Sequence, residues 1–461
     1  MRVKSTIAAS KEMMVLKNRN VNMLSGSITK GLLSLTMPIM VMNVVQNIFN
    51  IVDMTVLGNW VGDGAVGAVG ASGMLITLCT CLLIGIATGS NIVVAKRMGE
   101  QNSERMDKAV GTSMIVAIIG GILLAIIGFL FAETFLKWTN CPDALLADAT
   151  LYFRLYFVGV PFQLLYNFSA AILRAIGDTK RPMYFLLGSS GLKVLLNILF
   201  IRAFHMDVDG VGCATIISNL LVCTLCIIAL RRSILQFRFR KMRFDVVEFK
   251  AILHLGIPTG LQSACYALAN VVIGTAVNSF GPDATTGVSI ANQIDSILYN
   301  ISYAPALAAS PYIAQNIGAH NIPRAKRALV RAIGIAVVFG GGLGALASIF
   351  SGQLASIMSS SPTVIAFARQ KTMLISATYF LSGINETMSG ALRGLGKPVI
   401  PMISSFMFMC VLRFIWVYFI FPLFPNLTFL YLVWPVGWSL ASIFLSTFYF
   451  PTVSKLQKQY V

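Results

Sequence analysis

Long apolar runs alternate with short clusters of charge from about residue 32 almost to the end of the chain. Each run reaches or exceeds the roughly 20 residues that an α-helix needs to cross a bilayer core. The pattern predicts spans at 32-57, 65-95, 109-131, 147-173, 183-204, 210-230, 251-277, 284-314, 328-350, 364-391, 398-421 and 428-450. Lipid offers no partner for backbone polar groups, so such segments must be helices. The expected fold class is therefore all-α integral membrane, with twelve transmembrane helices. Spans 1, 2, 7 and 8 are rich in Gly, Asn and Ser, and their faces suit protein neighbours better than lipid.

Composition agrees with lipid as the solvent. The 461 residues are 56% hydrophobic and only 11% charged, against about 25% charged in soluble domains. The net charge of +18 would suggest a nucleic-acid partner in a soluble protein, but here the basic residues sit between the spans and report topology, so no nucleic acid is expected. Of the 35 Lys and Arg residues, 28 fall in the termini and alternate loops, while the opposite loops hold Lys137 and Arg202. The basic side faces the cytoplasm. Both termini and a basic linker at 231-250 are thus expected there, in a multi-pass protein of the plasma (inner) membrane. The polar stretch 1-30 lacks the apolar core of a signal peptide and reads as a retained cytoplasmic segment. The eight cysteines show no disulfide or zinc spacing and read as small core hydrophobes.

An internal repeat organises the chain. At an offset of 219 residues Gly62 matches Gly281, Gly99 matches Gly318, Asn102 matches Asn321 and Arg105 matches Arg324. Leu173, Arg174, Gly177, Pro182 and Met183 match Leu392, Arg393, Gly396, Pro401 and Met402, and Pro38 corresponds to Pro258 with a slip of one. Two homologous six-helix lobes follow: 31-230 (TM1-TM6) and 251-453 (TM7-TM12), with a tail at 454-461. Six spans is an even number, so the halves enter from the same side. They are parallel repeats about a pseudo-twofold axis along the membrane normal, as in some secondary transporters.

A few polar groups lie where lipid would be. Span 1 carries Asn43, Gln46, Asn47, Asn50 and Asp53 at helical spacing. The amides alone are explained as readily by interhelical hydrogen bonds, but a carboxylate at this depth costs at least ~2.5 kcal/mol and is functional or paired. Lys193 lies one turn before Asn197 in span 5. Either it snorkels to an interface or it pairs with Asp53. In the second half Asp295, Glu386 and Arg413 are further ionisable groups at membrane depth, candidates for mutual ion pairs or for a substrate or proton role. Arg413 falls within one residue of the counterpart of Lys193. The turns at 177-182 and 396-398 lack P-loop spacing, and His205, His254 and His320 form no metal pattern. A membrane enzyme would need a convergent nucleophile and base, which is not visible, and a passive scaffold would not need buried charges in both halves.

The order of early Pro38, the run NxxQxxxNxxD from Asn43 to Asp53, the paired LRxxG turns at 173-177 and 392-396, and the duplicated plan resembles the multidrug and toxic compound extrusion (MATE) family. The likeness spans about Lys30 to Pro451. It implies a secondary active antiporter with no cofactor, exporting organic cations or amphipathic compounds in exchange for protons or sodium. Two lobes would form a cleft with alternating access, in a monomer among membrane lipids. By the same resemblance Asp53 is the ion-coupling carboxylate, with Na+ possible there. Gln46, Asn50, Asn167, Asn197 and Thr215 lie around it, and Pro38 bends its helix. The sequence departs from relatives at Ile201, which replaces a second carboxylate, at Ser382, which stands for an aspartate, and in span 7, which lacks a glutamate. The alternative within transport is a flippase for a lipid-linked envelope precursor, favoured by cations such as Lys193 and Arg413.

Overall fold

The computed structural model describes residues 21–139, 141–233 and 242–459. The expected N-terminal segment up to residue 20, residues 234–241 of the basic linker and the last two residues of the tail lie outside them. The described chain is built of helices: α1 (Ile28–Trp60), α2 (Asp63–Gly99), α3 (Ser103–Leu130), the short α4 (Ala132–Trp138), α5 (Asp143–Ala175), α6 (Lys180–Ala203) and α7 (Val208–Ser233). Then follow α8 (Val246–Asn278), α9 (Pro282–Gly318), α10 (Ile322–Ile349), the short α11 (Ser351–Ser356), α12 (Pro362–Ala377), α13 (Tyr379–Gly394), α14 (Val399–Leu423) and α15 (Leu427–Gln459).

The repeat read from side chains returns in the backbone. α2 and α9 are both 37 residues long and begin 219 residues apart. The turns that precede them hold Gly62 and Gly281 at φ 117° and 95°, where a Cβ would be strained. Gly177 and Gly396 share the same left-handed character, as do Gln101 and His320. One residue further on, Asn102 and Asn321 cap α3 and α10 by accepting from the backbone N–H of Arg105 and Arg324.

Among the described residues ten helices are long and apolar enough to cross a membrane. The expected spans 284-314 and 364-391 are not among them, for two different reasons. α9 is polar along much of its length, and most of it is buried within its own unit, where protein replaces lipid as the neighbour. The second span is broken into α12 and α13, of 16 residues each, at Thr378. Its hydroxyl turns back to the Ile375 carbonyl at 2.8 Å.

The chain divides into two compact units, one of Met1–Asn22 and Val45–Gly260, the other of Met23–Val44 and Leu261–Val461. α1 and α8, the first long helix of each half, therefore each run from one unit into the other. The first unit packs around α5, whose Phe153, Phe157 and Val160 are fully buried. Within it the start of α8 crosses α2 with almost no side chain between. A Cβ on Gly85 would lie 2.3 Å from the Gly260 nitrogen, and one on Gly256 would lie 2.4 Å from the Ile86 Cα. Small residues four apart on both helices permit this approach. The second unit packs around α9, α12 and α13, with Ile375, Leu430 and Tyr431 in its core.

Each of these straddling helices is tied down at its beginning. Arg324 donates to the carbonyls of Met23, Ser25 and Gly26 and to the Tyr312 hydroxyl, at 2.8 to 3.0 Å, which holds the approach to α1 in the second unit. In the first unit Glu248, near the start of α8, meets Arg97 at 3.0 Å and Arg105 at 3.4 Å.

Candidate functional site

In the first unit Asp53 on α1 is buried, 8% exposed, and two residues of α6 close on it. The Lys193 ammonium lies 2.6 Å from Oδ2, and the Asn197 amide donates to Oδ1 at 2.8 Å. Lys193 and Asn197 are four apart and so share one face of α6, which brings one cation and one amide to a single carboxylate. Asn197 is fully buried, and its own Oδ1 has no hydrogen-bond partner among the described residues. The Asp53 charge also reaches the buried phenol of Tyr152 on α5, a neighbour the sequence reading did not single out.

The other first-half candidates are more dispersed. Gln46 and Asn50 share the Asp53 side of α1 but are exposed, and Asn167 is half-buried on α5. Thr215, buried on α7, gives its hydroxyl to the Val211 carbonyl. Pro38 is buried within α1, fifteen residues before Asp53 and in the other unit.

The second-half groups do not pair with one another. Asp295 on α9 meets Lys371 on α12 at 3.0 Å, and Lys371 also donates to Asn292. Glu386 on α13 accepts from the hydroxyls of Tyr266 at 2.8 Å and Tyr299 at 3.5 Å. Arg413 on α14 donates to the Asn270 side chain on α8 at 2.7 Å, and its guanidinium lies 4.7 Å from the centre of the Trp434 ring. Lys371 lies 5.6 Å from the same ring.

Lys371 is a buried charge at membrane depth that the sequence pattern did not single out. The signal was present: the expected span 364-391 starts on the side where basic residues are scarce, so a lysine inside its first turns needed a partner. Asp295, one of the few carboxylates at membrane depth, supplies it.

α14 carries a further irregularity. Residues Phe406–Val411 and Trp416–Ile420 form π turns, and Arg413 sits on the single α-helical turn between them. A π turn closes its hydrogen bonds over one more residue than an α turn. The extra residue explains why Arg413, at an offset of 220 from Lys193, occupies the matching place on its helix although the repeat begins at 219.

Ten membrane-length apolar helices in a duplicated plan, with ion pairs held inside them, define a multi-pass membrane protein of the transporter kind. The sequence model of the MatE family matches residues 38–199 and again 258–419, and the chain belongs to that family. It is a transporter of small molecules and not an enzyme. The chain is 28% identical over 388 residues to the probable multidrug resistance protein YoeA of Bacillus subtilis (strain 168), covering 82% of this chain and 84% of YoeA. It is 26% identical over 391 residues to the probable multidrug resistance protein YpnP of the same organism, covering 84% and 87%. Both similarities agree with the expectation that the chain stands apart from the typical NorM branch. Among solved structures, a MOP superfamily transporter from Pyrococcus furiosus shares the fold, with a TM-score of 0.88 at 20% identity, over 95% of this chain and 99% of that one. The flippase reading is not favoured by these relatives.

Proposed function

We propose that the protein is a secondary active efflux antiporter that expels organic cations or other amphipathic compounds by alternating access, with Asp53 as the ion-coupling carboxylate. Twelve spans in two six-helix halves, both termini in the cytoplasm and a monomer in the plasma membrane complete the reading. The observation that carries it is the buried triad of Asp53, Lys193 and Asn197.

The triad has the chemistry of a proton switch. Lys193 has donors only, and its charge attraction to Asp53 exists only while the carboxyl is ionised, whereas an amide serves both forms fully, donating to a carboxylate or accepting from the O–H of a carboxylic acid. Protonation of Asp53 therefore weakens the tie to Lys193, which loses its charge attraction, and leaves the one to Asn197 available, whose buried Oδ1 is still unused. This gives the ion a different interaction with two arrangements of the site, which a coupled conformational shift requires. Sodium fits less well. Two unit charges about 4 Å apart repel by ~4 kcal/mol at an effective dielectric of 20, so a sodium ion at Asp53 must work against Lys193. The proton is the coupling ion favoured by this geometry.

The test is efflux of a fluorescent organic cation from proteoliposomes, with pH and sodium gradients imposed separately. Wild-type efflux should follow the pH gradient, and Asp53→Asn should reduce it by about 5- to 150-fold, the usual range of a coupling free energy. Full gradient-driven efflux in Asp53→Asn would sink the assignment.

A further inference from the structure

The buried charges of the second unit do not cancel. Lys371 is matched by Asp295 at 3.0 Å, and Arg393 lies within electrostatic reach of Glu386. Two buried arginines have no carboxylate partner among the described residues: Arg324, whose guanidinium is occupied by three backbone carbonyls and a phenol, and Arg413. Arg413 is 3% exposed, and among the described residues no carboxylate comes within ion-pair distance of it. Its hydrogen bond to Asn270 engages one of five guanidinium donors. Trp434 holds the guanidinium by its ring face and Asn270 by an amide oxygen. Both orient the charge, and neither neutralises it. A lone cation at this depth is costly, and an arriving anion would offset that cost.

The surroundings describe that anion. Asn270 is exposed, so the edge of the guanidinium it touches borders open space, and Trp434 is half-buried beside it. A planar guanidinium fork matches a carboxylate through two parallel hydrogen bonds, and the indole offers a flank for an aromatic ring. We propose that Arg413, Trp434 and Asn270 form an anion-recognition subsite that takes the carboxylate of an aromatic amphiphile, a substrate class beyond organic cations. This rests on the efflux reading for its physiological sense, but its binding can be measured without it.

The test uses three probes of one shape, naphthoate, naphthamide and naphthylmethylammonium, with binding to the purified full-length protein in detergent followed by intrinsic tryptophan fluorescence. Wild type should bind naphthoate saturably and more tightly than the other two. Arg413→Gln should weaken naphthoate by about tenfold or more, which is 1.4 kcal/mol or more, with naphthamide changed by less than about twofold. Asn270→Asp leaves the arginine in place and supplies an internal carboxylate, and it should weaken naphthoate to a similar degree, whereas Arg413→Lys should restore part of the affinity. Absence of saturable naphthoate binding by wild type, or an equal loss for all three probes in both variants, overturns the proposal. If that happens while a pH gradient still drives efflux of the organic cation, the antiporter reading stands without the subsite. If charge-selective binding holds but neither gradient drives transport, the subsite stands and the antiporter reading falls.

Discussion

In the first unit the ammonium of Lys193 on α6 meets a carboxylate on α1; in the second, the guanidinium at the matching place on α14 meets an amide on α8. The two halves share turns, caps and the lengths of their first three helices, so much of the difference lies in chemistry laid over a common frame. The carboxylate and cation of the second unit have moved elsewhere. Lys371 stands at the register of Tyr152, and its partner Asp295 at that of Ile76. Duplication thus fixes where helices run and leaves each pair of facing side chains free to diverge. One half can hold an exchangeable ion pair while the other holds a static one beside an unmatched charge.

Breaking the static pair should have the largest effect on stability. Lys371 is 2% exposed, and removing one partner of such a pair costs about 3–5 kcal/mol. Asp295→Asn should therefore lower the thermal unfolding temperature in detergent markedly, and Asp295→Asn combined with Lys371→Met should recover most of it. If Asp295→Asn is neutral for stability but abolishes gradient-driven efflux, the roles assigned to the two pairs are reversed. The second experiment rewrites the first unit. Lys193→Met removes the ammonium whose repulsion of ~4 kcal/mol opposes sodium at Asp53, so a sodium gradient should begin to drive efflux. Continued indifference to sodium would mean that Lys193 does not guard the carboxylate.

The helix crossings offer a smaller contrast. Gly85 on α2 faces backbone, whereas the corresponding position of the second unit is Ala304, fully buried on α9. Gly85→Ala should destabilise by about 1–3 kcal/mol through overpacking, and Ala304→Gly by about 1 kcal/mol through lost helix propensity; chemical denaturation compares them. The smallest effect concerns Asp245, which precedes α8. Its carboxyl is held below the ordinary aspartate range, chiefly by the Glu248 N–H, with the Val247 N–H and the charges of Lys108 and Arg105 assisting. A depressed folded value stabilises above the unfolded pKa and is lost as pH falls through the folded one. Asp245→Ala should therefore be slightly less stable than wild type at neutral pH and indistinguishable from it in strong acid.

Much of the frame was legible because lipid imposes a one-dimensional rule. Hydropathy located ten apolar helices, and the repeat located their turns. Span 284-314 was also recognisable as a helix, although its polarity reflects burial among protein neighbours, which composition alone does not distinguish from a water-lined face. The break at Thr378 was not legible, since a threonine in an apolar run rarely ends a helix. At the site, spacing placed Lys193 and Asn197 on one face, and membrane depth singled out Asp53. It did not reveal that Asp295 finds Lys371, because the partner of a charge is chosen by tertiary packing.

The π turn at Phe406–Val411 can also be viewed as a matter of reading frame. In a straight helix one residue more would rotate everything after it by about 100°; taken up in a π turn, it leaves the residues beyond on the faces they hold in the first copy. Deleting one residue there should convert the π turn into an α turn and leave the arginine facing as before. A membrane helix with such a turn can vary in length by one residue and still keep a buried charge where its partners are.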